Sequence, residues 1–250
     1  MPAIIDIDNL SHRYADGTVG LDGVNLRIEE SNFAVIAGAN GSGKTTLLRH
    51  LNGLLRPTGG SVRVAGHSVG AQLVRVRSLV GMVFQDADSQ IVGETVAEDV
   101  AFGPENLKLP RAEVARRVAA AMAATGISHL ADRRPHRLSG GEKRRLAIAG
   151  VLAMEARVLV LDEPFSSLDY DGVREVLGRI VALHRAGLTI LVTTHDLDKV
   201  LAHADRLVVL AAGRVVGDGP PAQVLCGIER YGVRSPRAAG LGMGGLTWLS

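Results

Sequence analysis

Hydrophobic and polar residues alternate over much of the first 37 positions, as they do in strands that bury one face. The alternating apolar residues are Ile5, Ile7, Val24, Leu26 and Ile28. The run from Phe33 to Ala37 is apolar throughout and is followed by Gly38. The pattern therefore predicts half-buried strands and then one fully buried strand.

The spacing of apolar residues then changes to that of a helix. Residues 44–54 are predicted to be helical, because their leucines fall on one face: Leu47, Leu48, Leu51 and Leu54. Residues 57–60 read Pro-Thr-Gly-Gly, which is typical of a turn. A short apolar strand is predicted over residues 79–84.

The middle of the chain lacks a strand pattern. Residues 95–106 and 111–124 are predicted helices, with Pro104 and Pro110 breaking the chain between them. The apolar stripe on the second helix contains Val114, Val118, Ala121 and Met122. We therefore predict a helical subdomain, inserted over about residues 86–145.

Helices and strands alternate again in the last part of the chain. Predicted helices over 140–154 and 171–186 alternate with predicted strands over 157–162, 188–194, 206–211 and 214–217. This alternation predicts an α/β fold with a mostly parallel sheet and right-handed crossovers. The earlier strands are assigned to an antiparallel β subdomain. The tail, residues 231–250, is rich in Gly and Arg, and we expect weak order or an attachment surface there.

Composition restricts the classes of function. A chain of 250 residues that is 46% hydrophobic suits one large domain. A net charge of +2 and an aromatic content of 3% give no reason to expect nucleic acid as a partner. Cys226 is the single cysteine, so no internal disulfide framework is expected. Neither a secretion signal nor a membrane-spanning run is apparent, although docking on a membrane protein stays possible.

The sequence Gly38-Ala-Asn-Gly-Ser-Gly-Lys44-Thr45 lies between a predicted strand and a predicted helix. Its glycines allow backbone N–H groups to surround phosphate oxygens, and the helix N-terminus adds positive potential. This context favours the phosphate-binding loop of a P-loop NTPase over an ordinary glycine-rich turn. Lys44 is expected to reach the β- and γ-phosphates of ATP, and Thr45 to bind Mg²⁺. The candidate nucleotide-binding residues are Gly38, Ala39, Asn40, Gly41, Ser42, Gly43, Lys44, Thr45 and Thr46.

Two acidic residues follow the apolar run Val158–Leu161. Residues at such a strand end lie near the ligand crevice of an α/β sheet. Asp162 is therefore a candidate Mg²⁺ ligand, and Glu163 a candidate general base for the attacking water. Taken alone, the pair is only suggestive, and two solvated carboxylates are the alternative; the phosphate loop strengthens the assignment.

The sequence Leu138-Ser-Gly-Gly-Glu142 resembles the signature motif of ATP-binding-cassette (ABC) ATPases. The resemblance implies an ABC nucleotide-binding domain over about residues 3–230. It also implies that Ser139, Gly140, Gly141 and Glu142 close over the γ-phosphate bound by a second subunit, in a head-to-tail dimer. Glu142 stands where the family more often has Gln.

Other positions resemble the same family. Gln85 resembles the Q-loop glutamine, which contacts Mg²⁺ and water, and Ser167–Asp169 resembles the D-loop of the dimer interface. His195 resembles the switch histidine at the γ-phosphate, and Tyr14 resembles the aromatic residue that stacks on adenine. The alternative for His195 is a purely structural role, and the alternative for Tyr14 is a residue that only packs. The resulting catalytic set is Lys44, Gln85, Glu163 and His195, with Thr45, Gln85 and Asp162 as the metal set.

A narrower resemblance concerns the ATPases of energy-coupling factor (ECF) importers. It is carried by Phe84-Gln-Asp86, Asp88-Ser-Gln-Ile91, residues 98–106 and Leu51–Leu55. The resemblance implies a peripheral subunit on the cytoplasmic face of a prokaryotic cell membrane. Its partners would be a second ATPase, identical or a close paralogue, and the integral membrane T and S components. The cargo would be cobalt, nickel or a vitamin such as biotin.

In ECF ATPases, the segment after the Q-loop forms a groove for a coupling helix of the T component. Here that segment has apolar residues among acids, which suits an amphipathic helix with basic residues. These apolar residues are Ile91, Val92, Val96, Val100 and Phe102. Some of them are also expected to form the core of the helical subdomain.

Two other functions stay open. A soluble ABC ATPase could act on DNA or ribosomes through a basic patch formed by Arg133, Arg134, Arg137, Lys143, Arg144 and Arg145. Charges around a helix start are more often a solvated face, however, and the chain has no long coiled-coil insertion or second cassette. A non-catalytic binding module is disfavoured by the intact Lys44, Asp162, Glu163 and His195.

Overall fold

A computed structural model describes residues 3–236 and 247–249 of the chain. The strands are β1 (Ala3–Arg13), β2 (Val19–Glu29), β3 (Phe33–Ala37), β4 (Gly59–Val64), β5 (His67–Ser68), β6 (Val80–Val83), β7 (Val158–Asp162), β8 (Thr189–Thr194), β9 (Arg206–Ala211) and β10 (Arg214–Gly219). The α-helices are α1 (Lys44–Leu51), α2 (Leu73–Leu79), α3 (Val96–Asn106), α4 (Arg111–Thr125), α5 (Gly140–Ala153), α6 (Tyr170–Arg185) and α7 (Pro221–Val224). Short 3₁₀ helices cover Asp88–Gln90, Ser128–Leu130, Pro135–Arg137, Leu197–Lys199, Leu201–His203 and Ile228–Tyr231.

The strands form two sheets. The larger has six strands in the order β10-β9-β3-β8-β7-β6, and only the β9–β10 pair is antiparallel. The smaller has the order β2-β1-β4-β5 and is antiparallel throughout. The predicted α/β class, with a mostly parallel sheet and an antiparallel β subdomain, is confirmed.

Alternating residues of the central strands face two separate cores. In β3, Ala34 and Ile36 pack with the antiparallel sheet and α1. Phe33 and Val35, which point the other way, pack with residues of α6. Because both faces of β3, β7 and β8 are covered, these strands consist entirely of buried residues. Their parallel arrangement also brings the loops after their carboxyl ends to one edge of the sheet.

Helices α3 and α4 pack against α5 around a third core. Thr95 begins α3 with a reciprocal capping box, in which its hydroxyl accepts the Glu98 N–H and its own N–H donates to the Glu98 carboxylate. Of the predicted stripe on α4, Ala121 and Met122 are buried. In the chain, α3 and α4 lie between β6 and α5, the helix that begins within the signature motif.

Several predicted boundaries were wrong. Helix α1 ends at Leu51, and Leu54 is 47% exposed, because Gly53 turns the chain with a φ of 66°. Pro104 lies inside α3, close to its end, and does not separate the helices. Helix α2 was missed because the sequence Leu-Val-Arg-Val-Arg-Ser-Leu alternates as a strand does.

Part of the C-terminal tail, where we expect weak order or an attachment surface, packs against the rest of the protein. Val233 is 3% exposed and belongs to the core beside α6. Trp248 and Leu249 pack against the same core. The remaining tail positions, 237–246 and 250, lie outside the described residues.

Candidate functional site

The predicted phosphate loop joins β3 to α1 and lines a cleft. Gly43 precedes the helix with a φ of 107°, a left-handed value that favours glycine. At Gly38 a Cβ atom would lie 2.4 Å from the Leu210 carbonyl oxygen, so the close approach of the backbone excludes a side chain. The residues around the cleft are Tyr14, Thr18, Val19, Gly20, Asn40, Gly41, Ser42, Gly43, Lys44, Thr45, Thr46 and Glu163.

The Lys44 side chain is held within the loop. Lys44 is 7% exposed, and its ammonium group donates to the carbonyl oxygens of Gly38 at 2.7 Å and Ala39 at 3.1 Å. Burial lowers the pKa of Lys44, while the neighbouring carboxylates of Glu163 and Asp162 oppose that change. The ammonium group therefore lies inside the loop, next to backbone N–H groups that could bind an anion.

Asp162 is connected to the phosphate loop through its side chain. Its two carboxylate oxygens accept hydrogen bonds from the Thr45 hydroxyl at 2.9 Å and the Thr193 hydroxyl at 2.6 Å. Asp162 is 4% exposed, so these bonds satisfy a carboxylate that burial would otherwise destabilise. Gln85 lines a cleft with Thr45 and Asp162. The predicted metal set thus comes together as oxygen donors, which fit the preference of Mg²⁺.

Glu163 and His195 face each other from the ends of β7 and β8. The Nδ1 atom of His195 lies 3.0 Å from the Glu163 Oε2 atom. Glu163 has a φ of 48°, and its N–H donates to the Thr193 carbonyl and hydroxyl oxygens at 3.2 and 3.0 Å. An uncommon backbone conformation in a non-glycine residue is thus held by the adjacent strand. It orients the Glu163 carboxylate toward the phosphate-loop cleft.

Tyr14 stands at the other side of this cleft, with its hydroxyl 2.8 Å from that of Thr46. Its ring meets the His12 ring edge-on, with the centroids 4.6 Å apart. His12 in turn meets the ring of the fully buried His50 at 4.8 Å. A row of rings therefore fixes Tyr14 beside the phosphate loop.

One of the signature residues lines a different cleft. Gly140 lines it together with Gln85 and Ser167, and no residue of the phosphate loop takes part. Ser139 caps α5, and Glu142 returns a hydrogen bond to the Ser139 N–H at 2.7 Å. That bond holds the pKa of Glu142 below its ordinary value. Within one chain, the signature and phosphate-loop residues are not brought together.

Comparison with known proteins agrees with this geometry. The family described as "ABC transporter" matches residues 21–166. The energy-coupling factor transporter ATP-binding protein EcfA of Methanocaldococcus jannaschii is 43% identical over 244 residues, which are 95% of this chain and 88% of that protein. The chain belongs to the ABC transporter ATP-binding family. It is an ABC-type ATPase, similar to the ATP-binding proteins of energy-coupling factor transporters.

Solved structures agree with this assignment. CbiO1 of Clostridium perfringens, described as part of the ABC transporter complex CbiONQ, matches with a TM-score of 0.84 and 39% identity, covering 96% of this chain and 99% of that one. A dimeric ATP-binding cassette in a post-hydrolysis state, bound to ADP and Pi, matches with a TM-score of 0.77 and 28% identity, covering 87% and 98%. In the described part of this ABC ATPase, no helix combines the length and hydropathy of a membrane span.

The structure also contains a functional connection that the sequence did not indicate. Arg144 of α5 donates from its guanidinium group to the carbonyl oxygens of Phe84 at 2.6 Å and Gln85 at 2.7 Å. Lys143 pairs with Asp88 at 2.6 Å. The helix that begins at the signature of this ABC ATPase therefore holds the segment around Gln85 in place. Only the three-dimensional fold reveals this contact, because the partners are backbone atoms about sixty residues away.

Proposed function

We propose that this ABC ATPase is the ATP-hydrolysing motor of an ECF-type importer. ATP binding and hydrolysis would be coupled to the uptake of cobalt or nickel ions, or of a vitamin such as biotin. Support comes from relatives named as ECF transporter ATP-binding proteins and from CbiO1, described as part of a transporter complex. The subunit would lie on the cytoplasmic face of a prokaryotic cell membrane.

The observation that carries the proposal is an apolar groove beside the segment that follows Gln85. Val92 is 60% exposed and Phe102 is 53% exposed, and both line one cavity together with Asp99 and Ile91. Large apolar side chains exposed in a groove are typical of interaction surfaces. The groove suits the apolar face of a helix from an integral membrane T component, which would act together with an S component that selects the cargo.

Phosphate binding would depend on the loop after β3. The N–H groups from Gly38 to Thr46 would surround the phosphates of ATP, and Lys44 would donate to the β- and γ-phosphates. The half-buried Tyr14 ring would support the adenine base by stacking. These roles are supported by the common cleft that Tyr14 and residues 40–46 line.

Thr45, Asp162 and Gln85 would hold Mg²⁺. The Thr45 hydroxyl donates a hydrogen bond of 2.9 Å to an Asp162 carboxylate oxygen, so two oxygen ligands already lie side by side. The bound ion would supply positive charge to the phosphate oxygens during phosphoryl transfer. Thr193, through its hydrogen bond, would keep the Asp162 carboxylate pointed at that position.

Glu163 would orient and deprotonate the attacking water, and His195 would contact the γ-phosphate. The 3.0 Å contact between the two side chains puts both groups on one side of the cleft. His195 is the more exposed partner, with 64% of its side chain accessible against 12% for Glu163. It is thus free to change partners when a γ-phosphate is present, while Glu163 stays fixed by its backbone bonds.

A second ATPase subunit, identical or closely similar, would complete each site. Ser139, Gly140, Gly141 and Glu142 lie outside the phosphate-loop cleft of their own chain. A head-to-tail dimer would bring the N-terminus of α5 from one subunit to the γ-phosphate on the other, where its N–H groups favour an anion. The dimeric cassette among the structural relatives supports this arrangement.

The second candidate, a soluble ABC ATPase that acts on nucleic acid or ribosomes, loses two of the six charges of its basic patch. Arg144 is 4% exposed and Arg145 is 7% exposed. Arg144 is bonded to backbone carbonyls, and Arg145 is paired with Glu175. Neither side chain can therefore contribute to a basic surface patch, which needs accessible charges. Nucleic acid is not expected as a partner.

The test is purification of the tagged protein from its native membranes in mild detergent, with mass spectrometry of the bound proteins and a metal and vitamin assay. The proposal expects a large and a small integral membrane protein, the small one carrying the cargo. Recovery of ribosomes, of DNA or of the ATPase alone would contradict the transport role.

A further inference from the structure

The only tryptophan of the sequence, Trp248, contacts two regions that are distant from each other in the chain. The Lys199 ammonium group lies 5.0 Å from the centroid of its ring, and the Tyr170 ring lies 5.3 Å away. Trp248 is therefore a point where the C-terminal segment meets both the region after β8 and the beginning of α6.

Lys199 links this contact to the proposed switch residue. Its ammonium group pairs with the Asp196 carboxylate at 3.2 Å, and Asp196 directly follows His195. The Lys199 side chain is only 16% exposed, so both of its interactions occur in a partly dry environment, where charge interactions are stronger than in water. Lys199 thus lies between the Trp248 ring and the loop that carries His195.

Tyr170 links the same ring to the predicted D-loop. It is the first residue of α6, and the preceding Asp169 caps that helix by accepting the Gly172 N–H at 2.8 Å. Leu249 packs on the same helix, since a Cβ atom at Gly178 would lie 3.8 Å from its Cδ2 atom. The second anchor of the segment is a 2.6 Å hydrogen bond between Thr247 and His203.

We propose that Trp248 is a positioning residue, which fixes the His195 loop relative to the start of α6 through Lys199 and Tyr170. Cation–π contacts restrict where a lysine ammonium group rests. With Lys199 held, Asp196 and the adjacent His195 keep their orientation toward Glu163. This inference rests on the proposed role of His195 in ATP hydrolysis and extends it to the C-terminal segment.

The first test is steady-state ATP hydrolysis by the full-length chain. Trp248→Ala should lower kcat about three- to tenfold, the kinetic equivalent of one lost cation–π contact, with little change in KM for ATP. Trp248→Phe should restore most of the loss, since it keeps an aromatic face. Lys199→Met should reproduce the Trp248→Ala effect, and Arg27→Met, at an exposed position of the antiparallel sheet, should leave kcat unchanged.

Wild-type kcat in both Trp248→Ala and Lys199→Met would overturn the inference. So would a fall in kcat that merely follows the loss of folded protein, which urea unfolding of each variant measures. His195→Ala is assayed in parallel: if it retains full turnover, the proposed role of His195 has failed instead.

The second test uses Trp248 as its own reporter, because the chain has no other tryptophan. Addition of ATP and Mg²⁺ to the Glu163→Gln variant should shift the tryptophan emission, because bound nucleotide changes the charge around the His195 loop and Lys199 couples that loop to the indole ring. The shift should be lost when Lys199→Met is added. If the emission spectrum does not change when the protein binds nucleotide, the Lys199–Trp248 contact is not linked to the nucleotide site.

Discussion

The His195 Nδ1 atom lies 3.0 Å from the Glu163 Oε2 atom, although 32 residues separate them in the chain. The two side chains come from the ends of adjacent parallel strands, so the sheet itself brings them together. Glu163 is additionally fixed by two hydrogen bonds from its N–H to Thr193. The adjacent strand therefore holds the Glu163 side of the contact, while His195 is the more exposed partner.

We predict that Glu163→Gln stalls hydrolysis and leaves ATP binding intact. The amide keeps an oxygen acceptor for His195 but lacks the basicity needed to deprotonate water, so kcat should fall at least about 100-fold. ATP should then trap a closed dimer, which light scattering after size-exclusion chromatography would detect. Near-normal turnover in this variant would exclude the assigned role, and Glu229→Gln, at an exposed position, serves as the control.

We predict that Lys44→Ala weakens ATP binding about 10- to 100-fold, which corresponds to the loss of charged hydrogen bonds to phosphate. Turnover should be abolished as well. A titration with a fluorescent ATP analogue measures the affinity. Lys108→Gln removes an exposed lysine outside the cleft and should bind like wild type. Equal affinities for both variants would argue against a phosphate contact by Lys44.

Sequence patterns predicted which residues of the candidate site come together, wherever those residues directly follow a strand. The phosphate loop, the acids after β7 and the histidine after β8 each follow an apolar run, and parallel pairing of those runs brings them to one edge. Helix α2 escaped prediction because its alternating valines and arginines fit a strand equally well. Tertiary packing resolved an ambiguity that periodicity could not.

The sequence did not indicate which residues form contacts across long distances in the chain. Arg144 looked like one of several exposed charges near a helix start, yet it is 4% exposed and bonded to backbone carbonyls. Backbone acceptors leave no mark in a sequence, because every residue has one. Trp248 is a similar case: its surroundings suggested a weakly ordered tail, and its contacts are with residues about 50 and 80 positions earlier.

We predict that Arg144→Met destabilises the fold by about 2–4 kcal/mol, because it leaves two carbonyl groups without their charged donor. Urea unfolding would measure the change. Arg27→Met is the matched control: the Arg27 side chain is 75% exposed and paired with Asp6 on the surface, so its loss should cost less than about 1 kcal/mol. If the two variants were equally stable, the contact with Phe84 and Gln85 would carry no structural weight.

We predict that His50 makes the fold less stable in mild acid. Burial lowers the pKa of His50 below its ordinary value of 6.5, while its Nδ1–H donates to the Thr46 carbonyl oxygen at 2.8 Å. The unfolded chain therefore takes up a proton at a higher pH than the folded chain. The contribution of His50 to stability is complete above the unfolded pKa and is lost as the pH falls below it.

The measurement is the free energy of unfolding in urea on both sides of the ordinary histidine pKa of about 6.5. His50→Asn keeps a side-chain N–H for Thr46 but does not titrate, so it should flatten the pH dependence. The control is His129→Asn, at an exposed position. An unchanged slope in His50→Asn would assign the acid sensitivity to other groups, such as His203, whose pKa is also lowered by burial.

We predict that Phe102→Asp prevents capture of the membrane components. Phe102 is 53% exposed in the groove beside Asp99, and a carboxylate there would face desolvation against the apolar side of a docking helix. The measurement is recovery of integral membrane proteins with the tagged variant, compared with wild type at equal expression.

The control is Val74→Asp, since Val74 is 86% exposed and lies outside the groove. It introduces the same charge at another exposed apolar position and should retain full capture. Matching unfolding midpoints for both variants would exclude a general loss of structure. If Phe102→Asp still recovers the membrane proteins in full, docking occurs on another face, and the groove loses its proposed role. If Val74→Asp also loses them, the defect reflects added surface charge and not the groove.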